Sequence, residues 1–462
     1  MTSLIFSLFS KLGLFLVSAA VGVIAYFVFA GTSSRAGYDD SVRDLPLLTV
    51  ESELQLPMEA ALLARTVAPV DLAGDSQGVL FVLQKDGQVI RIGNEGTFMN
   101  VSTRYVDLAD ENTDPTLGFS AIALHPDFLV EESKGFGKFY VVVSEKARTR
   151  LPDFIPEFGF GPETHQDVLY EYQTDFPLAS NFKGNRREVI RFSQPGRANN
   201  VRSIAFDPLG HLFIAVGDGA DEDIERRSPS KNASSLRNVY GKILRIDPMG
   251  HDSLNGKYGI PRTNPFHLVS DALPELWAYG LRSPHNLSFD PFERNLLIGE
   301  SGESGLEEVN ASEFGGEHFG WDLMHGKGLF SLVSNSQLAE FITVPAYSFD
   351  RYSQSIGGSA GNLVYRGKSF PSLAGSLIVA HKSGDLIVSD SAANGRLQIL
   401  NPQILSGKKV DALRSTPFGE LIVLCEDGSI LELRKPESTS EGSGKRKPLY
   451  AWQPIVSAAS RS

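Results

Sequence analysis

The stretch that decides the fold lies at residues 207–219 and reads DPLGHLFIAVGDG. Its Asp, Pro and Gly residues supply a tight turn, the apolar run supplies a strand of about six residues, and Gly-Asp-Gly supplies a second turn. The same succession of turn, strand and turn recurs at residues 75–87, 290–302 and 416–428. Repeated units of this kind predict an all-β chain folded as a β-propeller, in which each blade has four strands.

The composition supports a large, packed β protein. The chain has 462 residues, of which 42% are hydrophobic and 21% charged, so it can bury a core. Its net charge of −12 argues against a nucleic-acid partner, because phosphate binding needs clustered cations. The one cysteine, Cys425, excludes an intramolecular disulfide, and the apolar run around it predicts a buried thiol. A β-sandwich or barrel is the alternative fold at this point.

The N-terminus carries a predicted membrane segment within residues 1–31. Residues 12–30 contain no charge, and their number is close to the ~20 needed to cross a bilayer. The run is longer than the roughly 7–15 residues of a signal peptide's apolar region, which favours an uncleaved anchor. The small residue Ala30 also suits a cleavage site, so a signal peptide stays open. Either interpretation exports the rest of the chain. With no disulfide, we expect a bacterial envelope protein, anchored in the inner membrane and facing the periplasm, or secreted into it.

The remaining boundaries follow from composition. Residues 32–54 are interpreted as a linker, residues 55–435 as the propeller, and residues 436–462, which are rich in Ser and Gly, as a mobile tail. Six blades in the central segment would average roughly 63 residues, more than the ~40–45 of a compact repeat. Inserted loops must absorb the excess, and residues 151–181 are the predicted insertion.

Several motifs of the central segment resemble one known family, the glucose/sorbosone dehydrogenases that use pyrroloquinoline quinone (PQQ). The matching stretches occur in the family's order at residues 118–128, 206–219, 241–248, 258–266, 275–291, 299–310, 315–326 and 358–367. The resemblance implies a six-bladed propeller that binds its cofactor in a cleft at one end of the central axis.

The resemblance also implies residues that hold PQQ, which carries three carboxylates. Arg282 matches the family's cofactor-binding Arg, and Ser283 follows it where the family usually has Asn. An Arg fork suits a carboxylate, although it could also tie two blades together. Lys382 falls where sugar dehydrogenases of the family place a cofactor-contacting Lys, and a surface lysine in a turn is the alternative.

A calcium site is implied in the acidic loop that follows. In the family, backbone carbonyls corresponding to Gly302 and Glu303 bind the ion that orients PQQ. Glu307 and Glu308 match the family's acidic pair, and Ser301 replaces a side-chain amide. Calcium prefers six to eight oxygen ligands of this type. A solvated acidic turn is the alternative.

The main departure from the family is Asn199, which occupies the position of the catalytic His. That His removes the proton from the sugar hydroxyl, and an amide cannot do so because it has no pKa near neutrality. Arg202 replaces a family glycine close by. His211 and His285 are the candidate substitutes for the missing base.

Three functions therefore remain open. The resemblance favours oxidation of a sugar or other alcohol by hydride transfer to PQQ, with membrane attachment through the N-terminal segment. The departures at Asn199, Ser283 and Ser301 favour a non-catalytic propeller that binds a protein or glycan, as a hedgehog-interacting member of the family does. A propeller hydrolase of the calcium lactonase type shares the architecture but not the motifs.

Overall fold

The computed structural model describes residues 50–436, apart from gaps at residues 96–97, 158–161, 221–230, 302–305, 322–323, 326–327, 330–341, 351–357, 390–396, 402–403 and 406. The predicted membrane segment, most of the predicted linker and almost all of the predicted tail lie outside these residues. Within them, no helix is long and apolar enough to cross a membrane.

The described chain forms six antiparallel sheets arranged as blades. Two strands precede the first blade: β1 (Val50–Leu54) and β2 (Glu59–Arg65). Blade one contains β3 (Pro69–Gly74), β4 (Leu80–Gln84), β5 (Gln88–Glu95) and β6 (Phe98–Asp107). Blade two contains β7 (Phe119–Leu124), β8 (Lys138–Lys146), β9 (His165–Thr174) and β10 (Gly184–Gln194). Blade three contains β11 (Val201–Phe206), β12 (Leu212–Val216), β13 (Lys242–Ile246) and β14 (Leu276–Tyr279).

The second half of the chain completes the ring. Blade four contains β15 (Pro284–Asp290), β16 (Asn295–Ser301), β17 (Leu306–Ser312) and β20 (Tyr347–Asp350), with the short pair β18 (Met324–His325) and β19 (Gly328–Leu329) inserted. Blade five contains β21 (Ser359–Val364), β22 (Leu377–His381), β23 (Leu386–Ser389) and β24 (Leu397–Leu400), and one 3-10 turn (Pro371–Leu373) lies in it. Blade six contains β25 (Val410–Ser415), β26 (Leu421–Cys425) and β27 (Ser429–Arg434).

The N-terminal strands close the ring. Strand β2 pairs antiparallel with β27 and becomes the outer strand of blade six. Strand β1 pairs parallel with β24 and adds a fifth strand to blade five. The two ends of the propeller are therefore held together by backbone hydrogen bonds, which compensates for the absence of a disulfide.

The repeated sequence unit forms the same structure in each blade where it was recognised. Its apolar runs are the second strands β4, β12, β16 and β26, and these strands are almost wholly buried. The turn before each of these strands is fixed by its Asp or Thr residue. Before β12, Asp207 Oδ1 accepts hydrogen bonds from the backbone of Leu209 and His211 at 2.9 Å. Gly210 completes the turn with a φ of 84°, which favours glycine. The six-bladed propeller is confirmed, and the sandwich and barrel are excluded.

One sequence expectation was wrong. Residues 151–181 are not an insertion throughout, because they contain β9, a buried third strand of blade two. Only the part rich in Phe, Pro and Gly is a loop, whereas HQDVLYEYQT alternates as a strand does. Long connections instead follow β13, at residues 247–275, and β17, at residues 313–346.

The inner strands β3, β7, β11, β15, β21 and β25 contact one another in a closed ring around the axis. We call the end where they begin the N-face and the end where they finish the C-face. The carboxyl-terminal halves of all six line one cavity of about 490 Å³ at the C-face. The candidate residues of the sequence analysis lie mainly where inner strands begin.

Candidate functional site

Asn199 lies in the turn before β11, at the N-face. Its backbone has a φ of 51°, and its side chain is buried, with 7% exposed. The amide Nδ2 donates a hydrogen bond to Asp218 Oδ1 at 3.0 Å. Gly217 packs against this turn so closely that a Cβ atom there would lie 2.0 Å from the Asn199 carbonyl oxygen. The position is therefore rigidly held and bound to a carboxylate.

Asp218, which accepts the hydrogen bond from Asn199, is held in place by further hydrogen bonds. Its Oδ2 accepts a hydrogen bond from Trp321 Nε1 at 2.8 Å, and its Oδ1 also accepts one from the backbone of Ala220 at 3.0 Å. Complete burial raises the pKa of Asp218, although its hydrogen bonds and the Arg282 charge oppose the rise. Asp218 and Trp321 were not singled out in the sequence, where Gly217-Asp218-Gly219 was interpreted only as a turn.

Arg282 lies beside this group. Its carbonyl oxygen accepts a hydrogen bond from the Asp218 backbone at 2.8 Å. Its Nη1 donates to the Ser301 carbonyl oxygen at 2.8 Å, and its Cζ lies 5.6 Å from the centre of the Trp321 ring. The structure thus brings together Arg282, Ser301 and the position of Asn199. Ser283, the next residue, is buried.

The acidic residues lie on adjacent strands. In the β16–β17 pair, Ser301 faces Glu307 and Glu300 faces Glu308. Glu307 Oε2 accepts hydrogen bonds from Ser301 Oγ at 3.1 Å and from the Ser359 backbone at 3.2 Å. Burial, followed by the neighbouring Glu308 charge, raises the pKa of Glu300 well above its usual value.

Calcium at this loop stays a prediction. Gly302 and Glu303, which the resemblance assigns to the ion, lie outside the described residues. Within the part of the chain that the structure describes, no group of three or more His, Cys, Asp or Glu side chains is arranged to hold a metal.

Two further cations lie at the N-face. Arg202 projects from the second position of inner strand β11 and keeps contact with solvent, while the surrounding protein lowers its pKa. Lys382 is exposed in the turn after β22, where its backbone donates to the Gly358 carbonyl oxygen at 2.8 Å. Arg202 is an addition to the predicted set. In the sequence it is recognisable only as the replacement of a family glycine.

The charges of these cations affect the pKa of His285. Its Nδ1 donates a hydrogen bond to the Ser283 carbonyl oxygen at 2.9 Å. Burial lowers its pKa to about 4, and the charges of Arg202, Lys382 and Arg414 act in the same direction. The ring is therefore neutral at pH 7, in surroundings of positive potential.

His211 does not belong to this site. It precedes β12 and so lies at the C-face, the opposite end of the blade from Asn199. Its Nδ1 lies 2.9 Å from Asp207 Oδ2 and 2.8 Å from Arg245 Nη2. Cys425 is fully buried, and burial raises the pKa of its thiol to about 11, which excludes a reactive thiolate at neutral pH.

A buried histidine near the site makes the fold sensitive to acid. His318 stacks on Tyr279 with ring centres 4.4 Å apart, and burial, followed by the Lys242 charge, lowers its pKa to about 4. The unfolded chain takes up this proton near pH 6.5, so the contribution to stability is lost as pH falls from there toward 4. We expect His318→Phe, which keeps the stack, to reduce the stability lost between pH 7 and 5 by about 1–2 kcal/mol. Urea unfolding of both proteins at the two pH values measures this, and equal losses would contradict it.

The comparisons with known proteins identify the family and the fold of the chain. Residues 67–432 match the family described as Glucose / Sorbosone dehydrogenase, and the chain belongs to this family. The HIPL1 protein of Arabidopsis thaliana is 28% identical over 322 residues, which are 62% of this chain and 45% of that protein. The aldose sugar dehydrogenase YliI of Escherichia coli (strain K12) is 28% identical over 233 residues, 49% of this chain and 57% of that protein. Hedgehog-interacting protein of Homo sapiens is 25% identical over 339 residues, 68% of this chain and 41% of that protein.

The chain spans about half the length of these curated relatives. Two solved structures cover more of it. The soluble aldose sugar dehydrogenase of Escherichia coli in the apo-form has a TM-score of 0.60 at 20% identity and covers 82% of this chain and 99% of that chain. The PQQ-bound aldose sugar dehydrogenase of Streptomyces coelicolor has a TM-score of 0.57 at 19% identity and covers 82% of this chain and 98% of that chain. At these identities the likeness shows a shared fold.

Proposed function

We propose that the protein is a PQQ-dependent oxidoreductase that oxidises a sugar or other alcohol. The observation that carries the proposal is that Arg202, Lys382 and Arg282 all lie at strand ends on the N-face. Family membership and the PQQ-bound structural neighbour support the same assignment.

The chemistry of the N-face fits an anionic quinone. Arg202 and Lys382 both lie at the N-face, and the charge of each contributes to the lowered pKa of His285. Arg282 adds a planar fork of donors above the Trp321 ring. These three residues would hold the carboxylates, because guanidinium and ammonium groups form strong charge-assisted hydrogen bonds with them. When bound, PQQ supplies the acceptor for the substrate's hydride.

His285 is the proposed proton acceptor for the substrate hydroxyl. Since its Nδ1 is bound to the Ser283 carbonyl oxygen, the neutral ring has its lone pair on Nε2. With a pKa of about 4, this lone pair is available at pH 7 but weakly basic. A weak base removes a hydroxyl proton slowly, so we expect modest turnover.

We also propose, on the resemblance alone, that calcium binds at the loop after Ser301 and that the N-terminal segment directs the chain into the bacterial envelope.

A second candidate function is a non-catalytic propeller that binds a protein or glycan. The Asn199–Asp218 hydrogen bond favours it, because the position of the family's base is used to support the turn. The similarity to Hedgehog-interacting protein points the same way.

Turnover by the full chain separates the two candidates. The purified protein, supplied with PQQ and Ca²⁺, is assayed for dye reduction with a panel of aldoses and simple alcohols. The proposal predicts slow reduction that requires PQQ and falls on the acid side near pH 4, where His285 takes up a proton. His285→Gln should abolish the reaction while PQQ binding is retained. Binding without any turnover would favour the non-catalytic alternative.

A further inference from the structure

The C-face carries an apolar surface around the mouth of the central cavity. Phe292 and Phe418 line the cavity, and Phe292 is 74% exposed. Pro291 is shared with a second cavity of about 290 Å³, whose rim includes Leu209, 79% exposed. We call Leu209, Pro291, Phe292, Pro417 and Phe418 the C-face patch. Contiguous apolar surface of this kind marks a site of contact, because soluble proteins rarely expose it.

The polypeptide leaves the propeller at this same face. In blade six, Ser415 pairs with Leu421, and Leu421 pairs with Leu433. The end of β27 is therefore level with the end of the inner strand β25. The two strands lie two strand spacings apart, a distance of about 10 Å. Ser415 itself lines the central cavity. Whatever follows Pro436 in the chain starts beside the C-face patch.

The sequence beyond Pro436 contains a segment suited to this surface. Residues 449–456 read LYAWQPIV, and they follow the Ser/Gly-rich stretch ESTSEGSG at residues 437–444 and the basic run at residues 445–447. The residues between Pro436 and Trp452 reach up to about 50 Å when extended, far more than the distance to the cavity. Residues 449–456 are therefore largely apolar, and they are joined to the propeller by a linker that begins beside the C-face patch.

We propose that residues 449–456 dock on the C-face patch of their own propeller, with Trp452 in the central cavity. A tethered segment has an effective concentration in the millimolar range, so docking within one chain prevails over docking between chains. This proposal is independent of whether the N-face binds PQQ.

Crosslinking of engineered cysteines in the full chain tests the docking. Ser415→Cys lies on the cavity, and Gln453→Cys lies next to Trp452. The native thiol of Cys425 is fully buried and does not compete. The matched control replaces Ser415→Cys with Leu151→Cys, at a position that is 93% exposed after β8, at the N-face. A short bis-maleimide should join residues 415 and 453 within one chain, independently of protein concentration, and should not join 151 and 453.

Trp452→Ala, added to the Ser415→Cys, Gln453→Cys variant, removes the large apolar anchor. It should lower the equilibrium constant for docking, and with it the crosslinking rate, about tenfold to hundredfold. Acrylamide quenching of Trp452 gives a second measure. The other two tryptophans, Trp277 and Trp321, are buried, so wild type and Trp452→Phe should differ little in quenchable fluorescence. Equal crosslinking of the two pairs, crosslinks between chains only, or a fully quenchable Trp452 would overturn the proposal.

Discussion

Replacing Asn199 with histidine is expected to raise the turnover of the PQQ-loaded protein by about 10²–10⁴-fold, the usual contribution of a positioned general base. The structure already contains the group that would orient such a ring. Asp218 Oδ1 lies 3.0 Å from the amide of Asn199, and Trp321 holds the other carboxylate oxygen. One nitrogen of the introduced imidazole can donate to the same oxygen and leave the second nitrogen as the base.

The pH dependence of turnover shows which group accepts the substrate's proton. The acid limb of turnover should move from near pH 4, where His285 takes up a proton, toward the usual imidazole range near 6.5. Asn199→Gln, which keeps an amide, is the control and should not gain activity. Asn199→His combined with Asp218→Asn should lose most of the gain. An unchanged rate in Asn199→His with PQQ still bound would contradict this use of Asp218.

Removing Arg202 and Lys382 together is expected to weaken PQQ binding by about 10²–10⁴-fold. Each residue supplies a charge-assisted hydrogen bond worth about 1.5–3 kcal/mol, and either single change should cost about 10–100-fold. Arg202→Gln and Lys382→Gln keep the side chains polar and leave the strands undisturbed. The affinity of the wild type should fall with added salt, and the double variant should show a weaker salt dependence.

Lys368 provides the matched control for these changes. It is exposed on the connection after β21, at the C-face, so Lys368→Gln removes the same charge from the opposite end of the propeller. Binding should be unaffected by this change. If Lys368→Gln weakened PQQ as much as Lys382→Gln, a general charge effect would explain the loss, and the N-face would not be the binding site.

The propeller could be predicted from the sequence because its signals are local. A turn such as Asp207–Gly210 and the apolar strand after it lie within a few residues, and each repeat carries the same chemistry. The membrane segment is also a local signal, but it lies outside the described residues and stays a prediction. The error at residues 151–181 arose where a loop rich in Phe and Pro runs directly into strand β9.

The arrangement of the site could not be predicted from the sequence, because its residues come together only when the ring of blades closes. Trp321 meets Asp218 across 103 positions of sequence, a contact that no local pattern contains. Arg202 becomes a cofactor candidate only because β11 is an inner strand and the Arg202 side chain is exposed at its N-face end. His211 was a candidate for the missing base, but β12 lies between it and Gly217-Asp218-Gly219. A strand of five residues spans about 17 Å, which separates the two ends of the blade.

A calorimetric titration of PQQ into the purified full chain, at pH 7 in the presence of Ca²⁺, tests the proposed function most directly. We expect one PQQ per chain, bound with micromolar or tighter affinity and released by high salt. No heat and no saturation at micromolar PQQ, in a protein whose circular dichroism shows a folded β structure, would contradict it and leave the non-catalytic propeller as the function of this chain.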